Sequence, residues 1–393
     1  MTIDWTTAKL GELVSFKTGK LDSNAARPKG AYPFFTCSQQ TLRTDTYSFD
    51  AECVLLAGNN ANGIYPLKYY NGKFDVYQRT YVIRSLNSGR LLNRFLYYSL
   101  RPKLGLLQSI STGVATKFLT MTLLNDLEID LPEIETQERI VGVLSAYDDL
   151  IENNVRRIQI LEETTQTLYR DWFVHFCFPD HEEIELVDSR LGKIPKGWEV
   201  VKFTDLSDVL SGGTPKTTVA EYWGGSIPFF SPADAPLSSY VISTEKQVTE
   251  LGLSKCNSRL YPKDTVFITA RGTVGSTVMS AGDMAMNQSC YALLGREGIT
   301  QLYLFLLTLH SVDYLKKNTG GATFQTIVID TFRQFDVAKP PSPIIDRFTE
   351  KVRPLFDSIL NLLRRNSNLR RARDLLLPKL VSGEIKLDKE LCE

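Results

Sequence analysis

The chain of 393 residues has little of several features that would point to a particular chemistry. It contains only three histidines, and its 45 basic residues are balanced by 45 acidic ones, so the formal net charge is zero. His175, His181 and His310 are too few and too scattered for a metal cluster. A chain without net charge has no strong overall electrostatic field that would attract one class of charged partner. No apolar run approaches the roughly 18 residues that a membrane span needs.

Catalytic signatures are also missing. No G-x-x-x-x-G-K-[S/T] phosphate-binding loop is present, because Gly58 to Gly63 has the spacing but is followed by Ile-Tyr. The only Pro-Pro pair, Pro340–Pro341, is flanked by Lys and Ser, unlike the [N/D/S]-P-P-[Y/F] motif of methyltransferases. Asp180 with Glu185 imitates a nuclease carboxylate pair, but no lysine follows at a useful spacing. The sequence therefore predicts no catalytic residue, no metal and no cofactor in this chain.

The six cysteines are scattered, and none forms a C-x-x-C pair. Such spacing in a large domain favours free thiols in a reducing compartment. The first residues do not resemble a signal peptide. We therefore expect a cytoplasmic protein.

A heptad seam is the strongest pattern that is present. Apolar or seam-compatible residues recur with alternating spacings of four and three from Ile140 to Trp172. The same pattern returns 208 residues later, from Phe348 to Leu380, with Arg373 as the exception. A seam of this kind buries itself against a partner helix. The first helical segment, residues 133–192, has a net charge of −9 and the last, 342–393, has +3, which suits mutual pairing.

The sequences before the two seams also repeat. Tyr32–Phe35 matches Ile227–Phe230, and Val54–Ala57 matches Val266–Thr269. Further on, Thr80–Ile83 matches Cys290–Leu293, and Asn93–Tyr97 matches Gln301–Phe305. Short apolar strands and glycine-rich loops beside a few helices predict an α+β fold. The chain is thus predicted to be a pseudo-twofold tandem repeat of a globe and a long helix, with boundaries at 1–132 (globe), 133–178 (helix), 179–197 (linker), 198–341 (globe) and 342–393 (helix and tail).

The ends and pairing of the long helices follow from local signals. Thr136 is expected to cap the first helix, which should stop before Pro179. The second should begin with Ser342 as N-cap and Pro343 at the first helical position, kink at Pro354, and end near Pro378 and Gly383. An antiparallel pairing in which residue numbers sum to about 520 places Asn154 against Asn366, a register-fixing polar pair in an apolar seam. The same register predicts contacts of Asp148 with Arg370 and of Asp171 with Lys351.

Four arginines lie near the middle of this predicted pairing: Arg156, Arg157, Arg364 and Arg365. Two interpretations remain open. A run of charge usually faces water. Alternatively, the group contacts a phosphate backbone or an acidic partner.

The whole chain resembles the specificity (S) subunit of type I restriction–modification systems. The motifs that carry the resemblance are Leu191–Val200, Ser211–Pro215, Tyr222–Phe229, Arg271–Gly275, Asn287–Ser289, Gln137–Ile140, Leu168–Val174 and Leu375–Ile385. The first globe departs from the family pattern, with Phe16–Lys20 in place of the S-G-G-T-P loop and Ala57–Gly63 in place of Thr269–Gly275.

The resemblance implies a non-catalytic subunit with two target recognition domains, separated by two long antiparallel coiled-coil helices. Each domain is expected to read one half of a split, asymmetric target on double-stranded DNA. It implies as partners two methyltransferase (M) subunits, which hold S-adenosylmethionine, and restriction (R) subunits, which use ATP and Mg²⁺. A coiled-coil adaptor whose globes bind proteins is the alternative.

Reading base edges requires Arg, Lys, Asn or Gln on loops that can enter a groove. For any one of them, a structural or merely positioning role is more common than a base contact. The candidates in the first globe are Lys17, Lys20, Arg27, Lys29, Arg43, Asn59, Asn60, Asn62, Gln78 and Arg79. Those in the second are Lys216, Thr217, Tyr240, Arg271, Thr273, Asn287, Gln288, Lys316 and Lys317.

Overall fold

The computed structural model describes residues 5–61, 63–113, 116–317 and 326–387. The chain forms two compact units: residues 1–151 with 369–393, and residues 152–368. Each unit joins one globe to the neighbouring parts of both long helices.

The first globe is built on a six-stranded sheet with the order β2-β8-β5-β7-β3-β4. Two further pairs, β1 with β10 and β6 with β9, complete its strands. The strands are β1 (Thr6–Lys9), β2 (Val14–Thr18), β3 (Tyr32–Phe35), β4 (Leu42–Thr44), β5 (Phe49–Ala57), β6 (Asn59–Asn60), β7 (Leu67–Val76), β8 (Thr80–Ser85), β9 (Lys117–Phe118) and β10 (Glu128–Leu131). The helices are α1 (Leu10–Leu13), α2 (Asn93–Leu100), α3 (Leu104–Ile110) and α4 (Met121–Asn125), after which the chain enters the first long helix, α5 (Ile134–Phe173).

The second globe contains a five-stranded sheet and a three-stranded sheet, with the orders β14-β21-β18-β19-β16 and β17-β15-β20. Its strands, with those of the linker, are β11 (Leu186–Ser189), β12 (Gly192–Pro195), β13 (Glu199–Lys202), β14 (Ser207–Ser211), β15 (Trp223–Phe230), β16 (Tyr240–Val241), β17 (Lys246–Val248), β18 (Val266–Thr269), β19 (Thr277–Ser280), β20 (Ala285–Met286), β21 (Cys290–Gly295) and β22 (Asp336–Lys339). The helices are α6 (Phe203–Leu206), α7 (Glu250–Ser254), α8 (Gln301–Lys317) and α9 (Ile329–Gln334), followed by the second long helix, α10 (Ser342–Val381).

The two globes share one strand framework, as the sequence repeat predicted. In the first globe Val54 pairs with Ile83, and in the second Val266 pairs with Leu293, so the matched segments form matched antiparallel ladders. The segments that begin at Tyr32 and Ile227 likewise become strands that run parallel to β7 and β20. The mixed helix and strand content is the predicted α+β fold.

The seam predicted for the long helices is present. All ten seam positions of α5 and all ten of α10 are buried or half-buried. In the second unit the rings of Trp172 and Phe348 lie 5.5 Å apart. Asn154 Nδ2 donates to Asn366 Oδ1 at 2.8 Å, and both side chains are within 1% of full burial. The pairing is antiparallel with numbers that sum to 520, which is the expected register.

Arg373, the exception in the apolar seam, has a charged partner. Arg373 Nη1 donates to Asp148 Oδ1, and the two side chains are only 12% and 23% exposed. Tyr98 donates its hydroxyl to the other oxygen of Asp148 at 2.7 Å. Burial, reinforced by that carboxylate, raises the pKa of Tyr98. The expected pairing of Asp148 with Arg370 was therefore wrong, because Arg373 is the arginine that faces into the seam while Arg370 is exposed.

The long helices begin one to three residues earlier than expected, whereas α5 ends before Pro179 as predicted. The helix α5 begins at Ile134, so Thr136 lies inside the first turn, where its amide donates to the Glu133 carbonyl. It ends at Phe173, six residues before Pro179. The helix α10 already includes Ser342, because the Pro341 carbonyl accepts from the Ile344 amide.

The helix α10 contains two prolines. It is helical on both sides of Pro354, where the predicted kink stays a prediction, and Pro378 lies within its last turn. Gly383 follows the end with a φ of +75°, a left-handed conformation that suits a glycine after a helix. The helix therefore ends at Val381, between Pro378 and Gly383, as predicted.

Each unit has its own apolar core. In the first unit, Ile140 and Leu144 of α5 and Leu377 and Leu380 of α10 pack with the interior of the globe. In the second, Tyr169, Trp172 and Phe173 pack with Tyr303 and Phe348. No helix within the described ranges is long and apolar enough to span a bilayer.

Candidate nucleic-acid interface

In the first globe, several candidate residues meet where loops converge beside the β6–β9 pair. Cys37 Sγ donates to Asn59 Oδ1 at 2.9 Å, and the Gly58 amide donates to the Arg79 carbonyl at 2.8 Å. The Arg79 guanidinium lies 5.9 Å from the centre of the Phe118 ring. We call this cluster the first loop face: Asp22, Cys37, Gly58–Asn60, Tyr77–Arg79 and Lys117–Phe118. Its exposed polar side chains include those of Gln78 and Arg79.

Two arginines of the first globe hold its own backbone. Arg43 donates from Nε to the Gly30 carbonyl at 2.6 Å and from Nη2 to the Ala31 carbonyl at 2.7 Å. Arg27 donates from Nη1 to the Asn24 and Ala26 carbonyls, each at 3.0 Å. Both side chains still reach solvent, as do Lys17, Lys20 and Lys29. Asn62 lies outside the described residues.

In the second globe, the loop after β14 packs on the turn before β21. The Thr214 hydroxyl donates to Gln288 Oε1, and the Asn287 carboxamide oxygen accepts from the Ser289 amide at 3.0 Å. The Arg271 amide donates to the Ser289 carbonyl at 3.3 Å, so Arg271 lies beside this turn. The Arg271 side chain is exposed. We call Thr214, Arg271–Thr273 and Asn287–Ser289 the second loop face.

The remaining lysine and threonine candidates of the second globe lie around this face or on a neighbouring loop. A Cβ on Gly275 would approach Lys316 Cε to 2.5 Å, so the lysine stem lies over that glycine. The side chain of Lys317 is not described. Lys216 and Thr217 are exposed, and the Lys216 carbonyl accepts from Trp223 Nε1 at 3.2 Å.

Tyr240 was a wrong candidate. It is 1% exposed on β16, and its hydroxyl donates to Asp264 Oδ1 at 3.0 Å. Arg353 donates to the other carboxylate oxygen at 2.8 Å. Burial, and then Asp264, raise the pKa of the tyrosine. A ring held in this way cannot reach a base edge, so Tyr240 serves the packing of the second unit.

The four central arginines do not act as one group. Arg156 pairs with Glu152 one helical turn away, and Arg364 donates to the Ala281 carbonyl at 2.9 Å, which fixes α10 to the second globe. Glu162 fixes α5 to the same globe, because one of its carboxylate oxygens accepts from the Ser239 amide at 2.6 Å. Arg157 and Arg365 are exposed. The solvated interpretation therefore fits Arg156, and Arg364 is structural.

Two further lysines of the globes, Lys68 and Lys246, were not among the candidates taken from the sequence. Lys68 donates to the Ser38 carbonyl at 3.2 Å, and burial lowers its pKa. Lys246 Nζ lies 5.9 Å from the centre of the Trp223 ring, beside a cavity of about 400 Å³ that Thr217 also lines. Both lysines lie in strands, whereas base-reading side chains were expected on loops. Within the described ranges, no group of three or more His, Cys, Asp or Glu side chains could hold a metal ion.

Comparison with known proteins agrees with this arrangement. The sequence profile of the type I restriction modification DNA specificity domain matches residues 2–163 and 195–359, so the chain belongs to that family and contains the domain twice. The MjaIX specificity subunit of Methanocaldococcus jannaschii is 28% identical over 309 residues, which cover 76% of this chain and 70% of that protein. The EcoDI specificity subunit of Escherichia coli is 25% identical over 422 residues, which cover 98% and 89%.

A solved structure shares the fold. The crystal structure of the S subunit of a type I restriction–modification system from M. genitalium superposes with a TM-score of 0.61 at 18% sequence identity, covering 98% of each chain. By its family, the chain is a specificity subunit and a non-catalytic component, as its motifs predicted. The comparisons support this interpretation and not the protein-binding adaptor.

Proposed function

We propose that each globe reads one half of a bipartite, asymmetric DNA target, through its first or second loop face. The observation that carries the proposal is that one strand framework occurs twice with different exposed side chains. Strands β5 and β8 pair as β18 and β21 do, yet the first loop face exposes Arg79 where the second has the half-buried Ser289, and the second exposes Arg271 where the first has the half-buried Asn59. Two similar scaffolds with different loop chemistry suit two different half-sites.

We further propose that α5 and α10 set the spacing between the half-sites and help to dock two methyltransferase subunits. The heptad seam and the buried Asn154–Asn366 pair support a fixed register between the two helices. S-adenosylmethionine, ATP and Mg²⁺ would be held by the methyltransferase and restriction subunits of such a complex. The chain itself would contribute sequence recognition only.

Methylation mapping tests this function in the assembled complex. Host DNA is sequenced for modified adenines with the gene present, with the gene deleted, and with residues 198–341 replaced by the second globe of a relative. We expect modification at one split motif to vanish on deletion, and only one half of the motif to change after the replacement. If deletion leaves all methylation unchanged while the methyltransferase is present, the proposed function is wrong.

A further inference from the structure

The two loop faces share one turn that the sequence repeat did not reveal. In the first globe it is Tyr77–Thr80, where the Thr80 amide donates to the Tyr77 carbonyl at 2.9 Å. In the second globe it is Asn287–Cys290, where the Cys290 amide donates to the Asn287 carbonyl at 3.3 Å. Each turn leads into the matched strand, β8 or β21.

The same backbone bonds fix both turns to their sheets. The amide of the first turn residue donates to the last carbonyl of the matched parallel strand, at 2.9 Å in both globes: Tyr77 to Phe35, and Asn287 to Phe230. The carbonyl of the third turn residue accepts a hydrogen bond of 2.8 Å in both globes. In the first globe the Gly58 amide donates to the Arg79 carbonyl, and in the second the Ala270 amide donates to the Ser289 carbonyl.

A glycine lies against the backbone where each turn begins, at the residue just before the turn in the first globe and at its first residue in the second. A Cβ on Gly19, just after β2, would lie 1.8 Å from the Val76 carbonyl oxygen. A Cβ on Gly212, just after β14, would lie 2.1 Å from the Asn287 carbonyl oxygen. A larger residue would collide with the backbone at either place, so in both globes the chain after the preceding strand packs directly against the start of the turn.

Glutamine stands at the second position of both turns, and both side chains are exposed. Gln78 Nε2 donates to Asp22 Oδ1 at 3.4 Å, and Gln288 Oε1 accepts from the Thr214 hydroxyl. A carboxamide has two donor hydrogens and two acceptor lone pairs. One bond within the protein therefore orients each amide and leaves both a donor and an acceptor available.

We infer that Gln78 and Gln288 are a matched pair of base-reading side chains, one in each globe, and that each selects an adenine·thymine pair at the equivalent place of its half-site. A glutamine amide bonds adenine N6 and N7 together in the major groove, which no other base permits with the same geometry. Asp22 and Thr214 act as positioning residues for the two amides. This inference rests on the proposed function and names the side chains that perform it.

The test uses the full chain assembled with its methyltransferase subunits. Gln78→Ala and Gln288→Ala are compared with the wild type by methylation mapping and by competition binding to DNA that carries every substitution of the motif. We expect each variant to lose about tenfold to hundredfold discrimination at a single A·T pair, in one half of the motif for Gln78 and in the other half for Gln288. The overall salt dependence should be unchanged, because no phosphate contact is lost.

Two further variants separate a reading role from a structural one. Thr214→Val leaves Gln288 in place, and it should weaken discrimination at the same base pair to a smaller extent. Gln334→Ala removes an exposed glutamine from α9, a helix of the second globe that packs against α6 and β13, and should leave the motif unchanged.

The outcomes distinguish the inference from the function on which it rests. If the wild-type complex binds and methylates no specific motif, the proposed function fails. If the wild type is specific and both alanine variants keep the full motif, or weaken binding equally to all sequences, the glutamines do not read bases. Discrimination lost at a G·C pair would likewise overturn the assignment of adenine.

Discussion

We expect single and double substitutions of the Asn154–Asn366 pair to affect the stability of the protein differently. Asn154→Leu removes the 2.8 Å bond that the buried Asn366 oxygen accepts. A lost bond to a buried polar group costs about 1–3 kcal/mol. The double variant Asn154→Leu, Asn366→Leu removes both polar groups, including the Asn154 oxygen, which has no hydrogen-bond partner among the described residues. Its stability should return to that of the wild type or exceed it, since apolar residues at both positions satisfy the seam.

Urea unfolding and thermal unfolding, both followed by tryptophan fluorescence, report on the unit that contains the asparagine pair. Trp172, Trp198 and Trp223 lie in the same compact unit as the asparagine pair, whereas Trp5 lies in the other. At about 2–4 °C per kcal/mol for a unit of this size, a single substitution should lower its Tm by about 2–12 °C. A double-mutant cycle should give a coupling energy of about 1–3 kcal/mol. Neutral single variants, or a double variant that is as unstable as the sum of the singles, would refute the reasoning.

Two further predictions concern the first unit and the thiols. Asp148→Ala should destabilise the first unit by about 3 kcal/mol, because the largely buried Arg373 loses its partner. Asp374→Ala, which removes a side chain that is 54% exposed, should cost less than about 1 kcal/mol. Equal losses of stability in thermal unfolding would contradict this prediction. Burial raises the pKa of the Cys53 thiol to about 12, so its thiolate fraction at pH 8 should be about a thousandfold below that of an ordinary thiol. Brief iodoacetamide treatment analysed by mass spectrometry should label the exposed Cys177 and leave Cys53 unmodified, and equal labelling of both in the native protein would show that the prediction is wrong.

The long helices could be predicted because their signal is local and periodic. The spacing of Ile140, Leu144 and Ile151 is visible in the sequence, and a single sum of residue numbers fixes an antiparallel register. The same reasoning failed for Asp148, because a seam position was assumed to be apolar and Arg373 was set aside. A charged residue in a seam is tolerated when an opposite charge is buried beside it, which the list of seam residues alone does not reveal.

The sheets of the globes could be matched to each other but not ordered. Similar segments such as Val54–Ala57 and Val266–Thr269 are recognisable by composition, whereas the strand that each will pair with depends on contacts distant in sequence. The error at Tyr240 has the same origin. From the sequence, Tyr240 was expected to be an exposed loop residue. It lies instead in β16, a short buried strand whose partner, β19, follows more than 30 residues later.

The shared turn explains how one framework can carry two different reading surfaces. The bonds that the two turns Tyr77–Thr80 and Asn287–Cys290 have in common run between backbone atoms, so these shared bonds place no demand on the side chains of the turn. The demands fall on neighbours, above all on Gly19 and Gly212, where any side chain would collide with a carbonyl. Exposed side chains at the turn can therefore change without disturbing the strands beneath them. On this scaffold, recognition of a new half-site requires new side chains on a fixed backbone rather than a new fold.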